Sequence, residues 1–250
     1  MDSAMWAMVV GGAALAGFVQ GLTGFGFSLV ALSVWAWALD PRLAAVMAVF
    51  GGLTGQIMAA ATVRRGFDVK LLLPFAIGGV LGVPIGILIL PHLDMPTFKT
   101  LLGLLLAVWC PIMLFSSKLP RVTFGGRGAD GVVGLMGGIM GGLGGFTGLL
   151  PTLWGTLRGY AKDTQRSLIQ NLNLMVLALT MVSYLVSGLV TRETVPYLAV
   201  VAPAMLIPAF IGSRIYTGIS DVAFRRIVLS LLTASGMVLL GSSIPDLIGR

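Results

Sequence analysis

Apolar residues come in blocks separated by short charged segments, and most blocks have the length of one membrane span. Residues 43–63, 71–91, 100–117, 167–191, 194–213 and 227–245 each supply close to the roughly 20 residues an α-helix needs to cross a bilayer. Two blocks are too long for that pattern. Residues 3–39 carry no charged side chain, and neither do residues 131–157. As one straight helix the first would run about 55 Å against a hydrocarbon core of about 30 Å, so it must bend or break. Each long block holds a glycine-dense string, GLTGFGF at 21–27 and GLGGFTG at 142–148. Glycine in a helix interior costs roughly 1 kcal/mol relative to alanine, so the breaks are expected there.

The chain thus reads as one pattern written twice, a broken hairpin element followed by three spans. The first repeat is residues 1–117 with its hairpin at 3–39, residues 118–130 are a polar linker, and the second repeat is 131–250 with its hairpin at 131–157. A second alignment agrees. Gly86 is followed twelve residues later by Phe98-Lys99, as Gly212 is by Phe224-Arg225, and Pro84 and Pro208 lie just before these glycines. Asp40 and Asp163 follow the two broken elements, where an aspartate suits the cap or first turn of the next helix.

Loop charge chooses between two topologies. Arg64, Arg65 and Lys70 share one loop, Lys118, Arg121 and Arg127 the linker, Arg158, Lys162 and Arg166 the next segment, and Arg214, Arg225 and Arg226 the last. Arg42, Lys99, Arg192 and Arg250 stand alone in the segments between. If every block crossed once, the two sides would carry equal basic charge. If each broken element enters and leaves on the same side, twelve basic residues face four, which is the asymmetry of a cytoplasmic face. Each half then has a hairpin and three spans, and the odd number inverts the second half relative to the first. That is the inverted-repeat layout of secondary transporters, with both termini outside the cytoplasm. Hairpin arms of about 17 residues by that spacing would bring the helix count to ten.

Composition fits a chain made for lipid. Hydrophobic residues make up 57%, charged residues 10%, and mean hydropathy is +0.99, where soluble domains carry about 25% charged residues. The formal charge of +7 belongs to the loops. No basic face or aromatic-basic module accompanies it, so nucleic acid is not an expected partner. The lone Cys110 leaves no intramolecular disulfide and no cysteine zinc site, and no metal or cofactor is expected. The start, MDSAMWAMVVGG, lacks the basic residues of a cleaved signal peptide and reads as the beginning of the first membrane element.

A hairpin tip inside hydrocarbon leaves backbone groups that need protein or a water-filled cavity around them. After each tip a half-helix begins, near Phe25 and near Phe146. Its first N–H groups have no helical partner and lie at the positive end of the macrodipole. Glycine lets a ligand approach the backbone, and together these make an anion site without a buried cation. Gly21, Leu22, Thr23, Gly24, Phe25 and Gly26 form the first candidate tip. Gly144, Gly145, Phe146, Thr147 and Gly148 form the second, with Thr23 and Thr147 adding hydroxyls. A plainer reading stands beside this one: spacings such as Gly134/Gly138 and Gly138/Gly142 also let membrane helices touch.

Among other polar residues, Gln170 and Asn173 of IQNLNL share a helix face, either as inter-helix hydrogen-bond glue or as lining of the site. Gln20 adjoins the first tip and Gln56 lies in the next span, both candidates for the lining. Arg158 and Arg166 flank the second broken element, as inside-surface anchors or as an anion-attracting vestibule or gate. His92 reads as an interfacial loop residue, and Trp154 as packing. No acidic residue or histidine falls in the centre of an expected span, so the carboxylate relay of many pumps is not expected.

VQGLTGFGFSLVA with the Asp40-Pro41 segment resembles the signature of the TauE/SafE family, the sulfite exporters and toluenesulfonate uptake permeases. GLGGFTG with LWGTLRGYAKD resembles the second-half copy. The resemblance implies an all-α carrier of the bacterial inner membrane for sulfonates, sulfite, related sulfur anions or some carboxylates. The expected partners are the small anion, the lipid bilayer, a coupling ion (proton or sodium) and, left open, a second copy of the chain. An anion channel or a structural membrane subunit is the alternative. An intramembrane enzyme would need a nucleophile and a base at membrane depth, and no buried base accompanies the serines and threonines.

Overall fold

The computed structural model describes residues 3–62, 66–116, 120–215 and 221–248. Arg64, Arg65, Lys118 and Arg250, four of the basic residues counted above, lie outside them. Among the described residues the secondary structure is ten α-helices and a short 3-10 turn at Leu90–His92, with no strand. The helices are α1 (Ser3–Thr23), α2 (Phe27–Trp35), α3 (Pro41–Thr62), α4 (Val69–Ile89), α5 (Met95–Leu114), α6 (Gly126–Gly144), α7 (Leu149–Leu157), α8 (Lys162–Val186), α9 (Val195–Ile215) and α10 (Asp221–Ile248). The order long, short, long, long, long occurs twice.

Polar residues open the helices. Asp40 accepts from the Arg42 N–H (2.9 Å), Asp68 from Leu71 (3.1 Å) and Asp94 from Thr97 (3.2 Å). Asp163 lies in the first turn of α8, where it complements the dipole. Seven described helices are long and apolar enough to span a membrane: one for each of the six expected spans, and α1. Large apolar side chains on their outer faces, such as Leu81, Leu88 and Ile207, are exposed and face lipid rather than water. The expected linker is shorter than 118–130, because α6 already begins at Gly126. Asp130 therefore sits inside a helix, buried, and accepts from Trp154 Nε1 at 2.7 Å.

The hairpin arms are unequal, 21 and 9 residues in the first and 19 and 9 in the second, not the near-equal arms expected. The break falls at Gly24–Gly26, and α2 stops at Trp35, after which Ala36–Leu39 form turns up to Asp40. Nine helical residues rise only about 14 Å, roughly half the hydrocarbon thickness, so α2 and α7 cannot cross alone. Both run back along their long arm. Trp35 Nε1 donates to Met8 O (3.2 Å), and Trp154 reaches Asp130 in the second hairpin. A tryptophan N–H thus pins the open end of each hairpin.

The most extensive packing joins α4 to α6, α1 to α9 and α5 to α10. Glycine makes the first two possible. A Cβ on Gly17 would overlap the Met205 carbonyl, and one on Gly21 the Ala209 carbonyl. Their counterparts Gly138 and Gly142 meet Gly79 and Val83 in the same way. Gly212 against Phe18 is likewise matched by Gly86 against Ile139. Residue numbers rise together along both pairs, so α1 runs parallel to α9 and α4 to α6. Elsewhere they oppose. Thr100 bonds Ser243 (2.8 Å) while Gly103 and Leu106 meet Leu240 and Gly236, so α5 and α10 are antiparallel. So are α3 and α8, where Gly52 touches Leu177 and the Gly66 carbonyl beyond α3 accepts from Asn171 (3.0 Å).

Candidate functional site

Thr23 closes α1. Gly24 (φ 78°) and Gly26 (φ 99°) take the left-handed conformation, which disfavours any residue with a Cβ. The Gly24 N–H donates to Gln20 O (2.7 Å) and ends α1, and Val30 is the first residue of α2 to reach a helical acceptor, Gly26 O (3.2 Å). The N–H groups of Phe27, Ser28 and Leu29 precede that bond and have no helical acceptor. At the second tip Gly145 (φ 80°) repeats the conformation of Gly24. Its N–H and that of Phe146 donate to Gly141 O (2.8 Å) and Met140 O (3.3 Å), satisfying the last carbonyls of α6. Helix α7 then starts after Gly148, whose carbonyl accepts from Thr152 (3.0 Å). Pro151 brings no N–H to this turn, so the second tip has fewer donors than the first.

The tips touch. A Cβ on Gly145 would lie 2.5 Å from Ser28 Oγ, and one on Gly144 would lie 3.0 Å from Leu32 Cδ1. Between them lies a cavity of about 30 Å³, room for about one water molecule. Phe25 to Leu29 line one side and Gly145 to Leu149 the other, with Gln20, Gly52, Gln56, Asn173 and Leu177 completing the wall. None of these side chains titrates. The amides are held in place: Gln20 Nε2 donates to Gly52 O (3.2 Å), Gln56 Nε2 to Gly24 O (2.9 Å), and the Thr147 hydroxyl to Asn173 Oδ1 (2.7 Å). What the lining offers is uncharged: N–H groups at the positive ends of two short helices, amides, a serine hydroxyl, and apolar walls from phenylalanine and leucine.

The model of the family described as Sulfite exporter TauE/SafE matches residues 9–239. The chain belongs to the TauE/SafE family. Among curated proteins and among solved structures nothing matches. With seven helices among the described residues long and apolar enough to cross a membrane, this TauE/SafE chain is a multi-pass membrane protein of a transporter family.

The structure brings most of the expected TauE/SafE tip residues to one cavity and leaves others outside. Phe25, Gly26, Gly145, Phe146, Thr147, Gly148 and Asn173 line it, as do Gln20 and Gln56. Gly21 is instead a packing glycine on α9, and Gly144 packs on Leu32 and Phe146. Leu22 is buried away from the lining. The Thr23 hydroxyl bonds its own turn, to Val19 O (2.9 Å) and Phe25 O. Gly24 lies one layer behind, its carbonyl on Gln56 and its Cα side facing Gln170 Nε2. Arg158 sits at the open end of the second hairpin, 5.7 Å over the Trp154 ring and bonded to Phe124 O (3.3 Å). Arg166 is exposed in the second turn of α8. Neither arginine lines the cavity. Ser28, Gly52 and Leu177 belong to the lining without having been expected. Ser28 was legible, as the residue after GLTGFGF in the first turn of the half-helix, whereas Gly52 and Leu177 arrive only through the packing of α3 and α8.

Proposed function

We propose that this protein is a secondary carrier of small sulfur-containing anions, organosulfonates or sulfite, working by alternating access in the bacterial inner membrane. One observation carries the reading. Two glycine-broken tips, one from each half of the chain, meet at a single buried cavity whose polar groups include helix N-terminal N–H donors and no cation. Such donors balance a negative charge without a buried cation. The family match supports the substrate class. Antiparallel α3/α8 and α5/α10, with hairpins that turn back, support two inverted halves, and the loop charge supports termini outside the cytoplasm. A cavity of about 30 Å³ is smaller than a sulfonate group, so the tips separate to admit substrate.

Purified protein in liposomes loaded with unlabelled methanesulfonate or sulfite should show saturable counterflow of the labelled anion. Flux that rises linearly with concentration, without counterflow, would mark a channel instead. Carboxylates added outside should compete weakly. Membrane-impermeant labelling of cysteines placed near Ser3 should succeed from the periplasmic side only, and labelling from the cytoplasm would overturn the inverted orientation.

A further inference from the structure

Gln20 is 4% exposed, Asn173 is 3% exposed, and both line the cavity between the tips. Their amides are turned in opposite senses, Gln20 by a carbonyl that only accepts and Asn173 by a hydroxyl that donates to it. The carbonyl of Gly52 only accepts, so the group Gln20 turns toward it at 3.2 Å is the NH₂. That leaves Oε1, an acceptor, as the end of Gln20 available to a ligand, and it has no donor among the described residues. Asn173 is the reverse. Its Oδ1 takes the Thr147 hydroxyl at 2.7 Å, so Nδ2, a donor without an acceptor among the described residues, is the available end. The Phe27, Ser28 and Leu29 N–H groups add donors on the first side.

A site for a fully ionised oxyanion needs only donors, and an amide oxygen turned into such a site repels the oxygens of the ligand. An acceptor beside a group of donors instead matches an oxyanion that keeps one proton. We infer that the cavity selects the singly protonated form of a small oxyanion: Gln20 Oε1 accepts the anion's O–H, while Asn173 Nδ2 and the backbone N–H groups hold its charged oxygens. A proton then crosses with the substrate, on the substrate, and the protein needs no carboxylate to carry it. The inference rests on the proposed anion site.

No titratable group competes with the ligand for this role. Helices α1, α2 and α7 contain none, and the remaining neighbours hold theirs outside the lining: Arg42 on α3, Arg127 and Asp130 on α6, Lys162, Asp163, Arg166 and Tyr184 on α8, and Tyr197 and Arg214 on α9. A change of affinity with pH therefore reports the ligand's own ionisation. Sulfite serves as the probe, because its dianion takes up one proton close to neutral pH, and methanesulfonate as the control, because it stays ionised and carries no proton.

The test is calorimetric binding of both anions to the intact protein in nanodiscs across that pH range. Affinity for total sulfite should tighten as pH falls and the singly protonated form accumulates, while methanesulfonate binding stays flat. Gln20→Met, close in length but without the acceptor, should weaken sulfite at the lower pH by about tenfold, the worth of one hydrogen bond to a charged ligand, and should not weaken methanesulfonate, which has no O–H to donate to it. Sulfite affinity that is flat or tightens as pH rises, with methanesulfonate still bound, would overturn the selection of the protonated form alone. Failure of the wild-type protein to bind either anion would overturn the tip site and this inference with it. The wild-type pH comparison decides the matter even where Gln20→Met does not fold.

Discussion

Gly24 and Gly145 share a backbone conformation but not an environment. Both have φ near 80°, where a Cβ costs about 1–2 kcal/mol. At Gly24 the nearest atom to an added Cβ is Gln170 Nε2 at 3.4 Å, an ordinary contact. At Gly145 the same Cβ meets Ser28 Oγ at 2.5 Å and Val49 at 3.3 Å. Gly24→Ala should therefore lower thermal stability by the backbone strain alone, and Gly145→Ala by more. Adding Ser28→Ala to Gly145→Ala should recover part of the difference, whereas adding it to Gly24→Ala should not. A thermal unfolding cycle over these variants reads the coupling directly, and equal losses for the two glycines would mean that the tips do not touch. GLTGFGF and GLGGFTG announced where the chain breaks, because glycine density is a local property. Which of their residues face the cavity was not local. Thr23 and Thr147 look equivalent on paper, yet one bonds its own turn and the other orients Asn173.

At the scale of the element, the glycines divide by what they touch. Gly17 and Gly21 on α1, and Gly138 and Gly142 on α6, let backbones come into contact with α9 and α4, and this is how the long arm of each hairpin is held. Gly11, on the same helix as Gly17, has nothing within 4 Å. Valine at Gly138 must push two backbones apart, and the cost should reach the 1–3 kcal/mol of an overpacked core or exceed it. Valine at Gly11 should be nearly neutral, since it faces lipid. Detergent-solubilised thermal unfolding of Gly138→Val and Gly11→Val compares them, and similar behaviour would contradict the close crossing of α4 and α6. Small-residue spacing in the sequence pointed to tight helix pairs. It did not say that the long arm of each hairpin packs on a helix of the other half.

That exchange shapes the whole molecule. The three most extensive helix pairs, α4 with α6, α1 with α9 and α5 with α10, all join the first half to the second. Residues 1–117 and 131–250 cannot move as two rigid blocks without tearing these pairs apart. If the tips separate during transport, as proposed, the bodies that move are mixed, with α1 travelling with α9 and α6 with α4. A linker between cysteines at Trp6 and Tyr197, whose rings stack at 5.1 Å across α1 and α9, should leave counterflow close to wild type. A linker between cysteines at Leu32 and Gly144, which joins the two tips, should stop it. If the first linker stops transport as fully as the second, α1 and α9 move apart during the cycle and the mixed bodies are wrong. Cys110 is buried and would be replaced by alanine beforehand.

Length and hydropathy are properties of the chain read in order, and they determined the helical membrane class and the two breaks; loop charge, read the same way, gave the expected orientation. Aspartates at 40, 68 and 94 fixed helix starts by bonds to N–H groups two or three residues away, contacts that sequence spacing alone places. Only the tertiary structure decided which arm of a hairpin is short, which glycines pack and which line a cavity, and which end of each amide is held by a neighbour. Those outcomes depend on carbonyls and side chains far along the chain, Gly52 for Gln20 and Ala209 for Gly21, and no local pattern records what lies opposite a residue once the helices have crossed.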